Sequence, residues 1–216
     1  DSLYQRMEYY AFDSDPGRPS IWKLRGRRSP IAAVQSQNPR RIEIAIEPQF
    51  NRLTENRTLD TLIIFDRGGK VLKGFDRLPE QNLKSFEEIT LELAQKELGK
   101  SLIKGFISTS ADIQQFIVFP IYSNATVLAY VYYGLSVQSL VDRFEDDSGS
   151  VIYLPGRQTS SSNVLSDYSN ELDSLDLKIG ESTVTEIGGN FYTVSRRAFE
   201  LVEETSSIVF AKDVNE

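Results

Sequence analysis

Apolar residues recur along the chain with two periods, and the changes of period divide it. Leu3, Tyr4, Met7 and Tyr10 fall at helical spacing over residues 1–12. The run Asp13-Ser14-Asp15-Pro16-Gly17-Arg18-Pro19 then breaks the pattern, as clustered Pro and Gly do. Over residues 30–56 the helical period returns, with Ile42, Ala45, Ile46, Phe50 and Leu53 on one stripe. Pro39 and Pro48 are expected there at helix starts or kinks. Residues 61–65, Thr-Leu-Ile-Ile-Phe, read as a short buried strand, Asp66-Arg67-Gly68-Gly69 as a turn, and residues 70–75 as the return strand. An amphipathic helix is predicted over 87–98, with Phe86, Ile89, Leu93 and Leu98 inward and Gly99 suited to its C-cap. Strands are predicted at 105–109, 115–122 and 127–135, the last two joined across Ser123-Asn124-Ala125-Thr126. From Ser136 the spacing of Val137, Leu140, Val141 and Phe144 is again helical. Further strands are predicted at 150–154, 182–187, 191–198 and 206–212, with a Ser-, Asp- and Asn-rich stretch over 158–182.

This order predicts an α+β fold of antiparallel sheets in three parts: a helical region over 1–60, a larger module over 61–149, and a smaller one over 150–216. Residues 116–122 and 127–135 do not alternate apolar with polar, so both faces of their sheet should be covered. The long N-terminal helix can cover one face. Helix 87–98 can cover only part of the other, which leaves room for a small-molecule pocket. A turn centred on Asn124-Ala125 would pair Tyr122 with Val127 and Phe119 with Tyr130. That register sets Ile117, Phe119, Ile121, Leu128, Tyr130 and Tyr132 on one face.

A ligand is accordingly placed between helix 87–98 and strands carrying Phe106, Ser108, Phe119, Tyr130 and Tyr132. The rings would form apolar walls, and the hydroxyls of Ser108, Tyr130 and Tyr132 would give direction. The competing reading makes the tyrosines rim residues with their tips in water. No Arg or Lys falls on these strand centres, so an anionic ligand would need a loop cation such as Lys104 or Arg77. A neutral or weakly charged molecule is expected.

Composition narrows the chemistry. The 216 residues include no His and no Cys, which excludes thiol nucleophiles, Ser–His–Asp triads and Cys-based metal sites. With 24 Lys and Arg against 31 Asp and Glu, the net charge is −7, opposite in sign to a nucleic-acid footprint. Asp13, Asp15, Asp146 and Asp147 lack the ligand spacing of an EF-hand and read as turn acids. Glu87-Glu88 and Glu203-Glu204 read as solvated carboxylates. The basic residues Arg25, Arg27, Arg28, Arg40 and Arg41 read as a solvated face, with anion or lipid contact as the alternative. No cofactor and no metal is expected. The only Met is Met7 and no run is long and apolar enough to span a bilayer, so the chain is expected to be an excised or processed domain.

The helix leading into Leu59-Asp60-Thr61-Leu62-Ile63-Ile64-Phe65-Asp66-Arg67-Gly68-Gly69-Lys70-Val71-Leu72 resembles the opening of the double-Cache family of extracytoplasmic sensor domains. So do Phe119-Pro120-Ile121-Tyr122 with Tyr130-Val131-Tyr132-Tyr133-Gly134-Leu135, and the closing strand from Ser207 to Val214. The interruption at residues 13–29 departs from that family's single N-terminal helix, and no amino-acid-binding signature is present. The resemblance implies two PAS-like antiparallel sheet modules packed on long N-terminal helices. It implies a noncatalytic, periplasmic ligand-sensing domain of a bacterial receptor, held between transmembrane helices outside this chain. The attached output would be a chemotaxis transducer, a histidine kinase or a cyclic-di-GMP enzyme. A small-molecule ligand and a homodimer through the N-terminal helices are the implied partners. A carboxylate-only hydrolase and an adhesion or interaction domain are the alternatives.

Overall fold

In the computed structural model, the described residues are 14–15, 18–19, 22, 29–76, 103–108, 113–124, 126–139, 141–142, 151–153, 169–200 and 205–214. The chain divides into two compact units, Asp1–Ser136 and Val137–Glu216. The helices predicted over 1–12 and 87–98 lie outside the described residues.

The first unit opens with a two-residue ladder, β1 (Ser14–Asp15) against β2 (Arg18–Pro19). Two short-capped helices follow. In α1 (Pro30–Gln35) the Ser29 hydroxyl accepts from Ala32 N, and in α2 (Pro39–Glu55) the Asn38 side chain accepts from Arg40 N and Arg41 N. Both caps precede a Pro at the first turn, where the missing N–H has no helical acceptor to lose. Pro48, expected at a helix start or kink, lies inside α2 and does not start a helix. It shares the exposed side of the helix with Ile44, 64% exposed, so the carbonyl it leaves unbonded lies toward water. The stripe of Ile42, Ile46, Phe50 and Leu53 is buried within the single chain, with Phe50 against Phe75 at 5.5 Å.

The sheet consists of β3 (Thr61–Phe65), β4 (Val71–Asp76), β5 (Ile103–Ser108), β6 (Ile113–Ser123) and β7 (Thr126–Ser136), in the order β4-β3-β7-β6-β5. Every neighbouring pair is antiparallel, and the last strand lies at the centre beside the first. The predicted Asp66 turn forms as expected. Its carboxylate accepts from Gly68 N at 2.8 Å and Lys70 N at 3.0 Å, and Gly69 takes φ 84°, which a side chain resists.

The register departs from expectation. Tyr122 does pair with Val127, but Ile121 pairs with Ala129, so Leu128 is an extra residue in a bulge. Phe119 therefore pairs with Val131, not Tyr130. A slip of one residue exchanges the faces. One face carries Thr61, Ile63, Phe65, Ile103, Ile107, Gln114, Phe116, Val118, Tyr130, Tyr132 and Gly134. The other carries Leu62, Phe75, Phe106, Ser108, Ile117, Phe119, Val131 and Tyr133. Contacts from Phe50 to Phe75, from Glu43 to Lys73, and from Trp22 to Tyr133 place α2 and Trp22 on this second face.

The second unit has β8 (Val151–Tyr153), α3 (Ser169–Ser174), β9 (Ser182–Ile187), β10 (Asn190–Glu200) and β11 (Thr205–Asp213). Its strands form an antiparallel sheet in the order β8-β11-β10-β9. Leu172, Ile187, Tyr192, Val194, Val209 and Ala211 form its core. The helix α3 was not anticipated: its sequence SNELDS gives one apolar anchor, Leu172, too little for a period.

Candidate functional site

The two faces of the first sheet differ in chemistry. On the helix side, Trp22 meets Phe119 edge-on at 6.4 Å, and Phe119 meets Tyr133 edge-on at 5.1 Å. Trp22 Nε1 donates to the Tyr133 hydroxyl at 2.9 Å. This is a packed aromatic core. Burial pushes the Tyr133 hydroxyl well above the ordinary phenol range, and the Trp22 hydrogen bond offsets part of that rise. A neutral Tyr133 in the folded state has a consequence at high pH. Above the unfolded-state value of about 10, the unfolded chain ionises this tyrosine while the fold does not. Stability is therefore full below that pH and falls as pH rises, by up to about 1.4 kcal/mol per pH unit from this group. Urea midpoints between pH 8 and 11 should fall less steeply for Tyr133→Phe than for the parent chain; equal slopes would refute the assignment.

The opposite face is built from alternate residues of five strands. Ile63, Phe65, Ile107, Phe116, Val118 and Tyr132 form its buried floor, with Val71, Ile103 and Tyr130 partly buried around it. The rings of Phe116 and Tyr132 stack at 5.7 Å and 12°. A polar chain crosses one end. The Tyr132 hydroxyl donates to Gln114 Oε1 at 2.8 Å, Gln114 Nε2 donates to Thr61 Oγ1 at 3.1 Å, and Thr61 donates to Asp76 Oδ1 at 3.4 Å. Tyr132 is 1% exposed and Gln114 and Thr61 are 0% exposed, so the two bonds made by Gln114 form out of water, where each is costly to leave unmade, while the Thr61–Asp76 link is part-buried. Asp76 is acceptor-only when ionised. Each link donates in the same direction, Tyr132 to Gln114, Gln114 to Thr61 and Thr61 to Asp76.

Of the predicted site residues, Tyr130 and Tyr132 lie on this face together. Phe106, Ser108 and Phe119 lie on the other, because Phe106 pairs with Gln115, Ser108 with Ile113 and Phe119 with Val131. The sheet itself separates the two groups, and Phe119 belongs to the Trp22 core. Ser108 is on edge strand β5, with β6 between it and Tyr132's strand. Lys104, offered as a loop cation, is within β5 and opposite Ile117, on the helix side. Gln114, Thr61, Asp76 and Phe116 were not anticipated as neighbours of Tyr132. Gln114 carried one signal, since Gln114-Gln115 interrupts an otherwise apolar strand. Among the described residues no three acidic side chains gather as a metal site, and no helix is long and apolar enough to cross a membrane.

No family profile and no curated protein sequence matches the chain. Solved structures do. The periplasmic domain of LuxQ from Vibrio cholerae matches with a TM-score of 0.53 at 11% identity, over 98% of this chain and 95% of that one. The extracellular domain of the histidine-kinase candidate vpHK1S-Z8 matches with a TM-score of 0.50 at 10% identity, over 99% and 94%. The chain has the fold of a periplasmic sensor domain. The double-Cache resemblance thus holds at the level of fold: antiparallel sheets with few helices, in two units. At such identities this sensor fold carries over the architecture and not the site residues.

Proposed function

We propose that this chain is the extracytoplasmic ligand-sensing domain of a bacterial signal-transduction receptor, noncatalytic in itself, and that it binds a small molecule on the Tyr132 face of its first sheet. The observation that carries the reading is the asymmetry of that sheet. Helix α2 and Trp22 pack on one face, whereas the other, also buried, carries an aromatic floor with a directed polar chain at its end. Apolar walls with a few oriented polar groups are what small-molecule sites require. Lys73 and Lys104 both lie on the helix side, and the described strand residues of the Tyr132 face include no Lys or Arg. This supports a neutral or weakly charged ligand over a strongly anionic one. The fold shared with periplasmic sensor domains supports the signalling role. A transducer, a kinase or a cyclic-di-GMP enzyme would each serve as the output. Two copies meeting through the N-terminal helices would use residues outside the buried stripe, such as Ile44.

Thermal-shift screening of neutral polar molecules of a few to a dozen heavy atoms tests the site. A ligand at roughly a hundred times its Kd should raise Tm by about 5–10 °C in a chain of this length. The gain should vanish in the Tyr130→Ala, Tyr132→Ala double variant and persist in Phe106→Ala. A gain that survives the double variant would place the site elsewhere.

A further inference from the structure

The second sheet has one edge that no described strand covers. β9 pairs with β10 alone, and the order β8-β11-β10-β9 leaves its other side open. Which groups face that side follows from the ladder. Arg196 N donates to the Glu181 carbonyl at 3.1 Å, and Glu181 immediately precedes β9. Along an antiparallel strand, hydrogen bonding to one neighbour alternates from residue to residue. The hairpin end agrees: Gly188 and Gly189 take φ 58° and 86°, a two-residue turn closed by the pair of Ile187 and Asn190. Thr183, Thr185 and Ile187 therefore turn their N–H and C=O groups to β10, whereas Ser182, Val184 and Glu186 turn theirs outward. The side chains of Ser182, Val184 and Glu186 are exposed as well, Val184 by 60%. Natural sheets protect a free edge with a proline, a lysine or a bulge. Residues 182–187, Ser-Thr-Val-Thr-Glu-Ile, include no proline and no lysine, and their register with β10 is unbroken.

We propose that β9 is a self-association edge, pairing antiparallel with β9 of a second copy so that Val184 meets its own counterpart on a two-fold axis. The strand is complementary to itself in one register. With the axis at Val184, Ser182 lies opposite the partner's Glu186, and Glu186 opposite the partner's Ser182. Each outward residue then faces an outward residue, so every outward N–H and C=O gains a partner. The Ser182 hydroxyl can donate to the facing carboxylate, and Thr183 faces the partner's Thr185, a favoured cross-strand pair. Moving the axis to Thr183 or Thr185 carries one outward residue past the end of the other strand. Moving it to Glu186 sets two carboxylates face to face, which is destabilising. The uncharged Val184 thus occupies the axis and the charged residue meets a hydroxyl. The contact is far smaller than a permanent dimer interface, so the association is weak. It involves neither the ligand face nor the N-terminal helices, and it stands independently of both.

The chain has no cysteine, so single introduced thiols report the register. Opposite residues of a hydrogen-bonded antiparallel pair stand about 5.5 Å apart at Cα, within disulfide reach. Residues four positions out of register stand about 14 Å apart, beyond it. Under mild oxidation, Val184→Cys should form an intermolecular disulfide at least about tenfold faster than Ser182→Cys or Glu186→Cys alone. Mixing the Ser182→Cys and Glu186→Cys chains should restore fast cross-linking between the two. Equal rates for the three single variants, or no gain on mixing, overturns the pairing. Sedimentation of chains without thiols gives a second reading. The parent should self-associate at about 1 mM, and Val184→Lys, which sets two ammonium groups on the axis, should weaken this by about tenfold or more. Because Val184 is exposed and its backbone groups face away from β10, Val184→Lys should melt at the parent's temperature. Val184→Thr, uncharged and of similar shape, should associate like the parent. A parent that stays monomeric at that concentration overturns the proposal. So does an association that Val184→Lys leaves intact, which would place the contact on another surface.

Discussion

Trp22→Ala should destabilise the chain by about 3–5 kcal/mol, the usual cost of truncating a buried aromatic to alanine. Trp22 is the only tryptophan and is 6% exposed. It does two things at once: its ring closes on Phe119, and its Nε1 is the donor to a Tyr133 hydroxyl that no water reaches. Truncation opens a cavity and also strips a buried hydroxyl of its partner. Trp22→Phe separates the two terms. It keeps most of the ring and loses only the donor, so its cost should be about 1–3 kcal/mol. Urea denaturation followed by circular dichroism measures both, since the tryptophan probe is lost in the variants. A loss below about 1 kcal/mol for Trp22→Ala would mean that the segment carrying Trp22 contributes nothing to the first unit. Because Trp22 sits 111 residues from Tyr133 in sequence, a full loss would show that the N-terminal segment is an integral layer of this sheet.

Gly134→Ala should cost about 1–3 kcal/mol through overpacking alone, and Gly134→Val more. Gly134 has no positive φ, so an added side chain meets no backbone penalty there. The cost comes from what already fills the space: a Cβ at Gly134 would stand 2.6 Å from Tyr132 Cε1 and closer still to Gln114 Oε1. Either Gln114 or Tyr132 must withdraw, and the hydrogen bond between them breaks, adding about 1 kcal/mol. The pairing of glycine with a flat aromatic ring predicts a rescue. Gly134→Ala combined with Tyr132→Leu should lose less than the sum of the two single changes, because the atom nearest the new Cβ on that residue is gone. Strict additivity, read from thermal or urea midpoints, would count against the packing account. A ligand that stabilises the parent should fail to stabilise Gly134→Ala even at temperatures where that variant is fully folded.

The element boundaries were legible because their causes are local. Ser29 and Asn38 cap helices from the positions immediately before a proline, and Asp66 folds its own turn within four residues. The runs 61–65 and 182–187 could be little else than strands between turn residues. Whether Pro48 starts a helix or lies within one was not legible, because the cost of a proline inside a helix depends on whether water can reach the freed carbonyl, a property of the helix's orientation. The candidate site was half legible. Tyr130 and Tyr132 are two residues apart on one strand, so alternation alone joins them. Phe119 was joined to them by assuming an unbroken ladder, and Gln114, Thr61 and Asp76 come from three other strands.

The amino-acid sequence by itself determined the order and type of the strands from β3 to β11, the main turns and the absence of thiol and imidazole chemistry, but not the two-residue ladder of β1 and β2, which lies in a run read as a break. What it determined follows from periodicity, turn preference or composition within a few residues. Only the tertiary structure decided which side chains share a face. The bulge at Leu128 adds one residue to β7, and in a ladder of period two a single added residue sends every later partner to the other side. It also decided that Gln114 reaches Thr61, 53 residues away, across a position left open by Gly134. Packing of this kind depends on the volume a neighbour leaves unfilled, and that volume exists only once the sheet has closed.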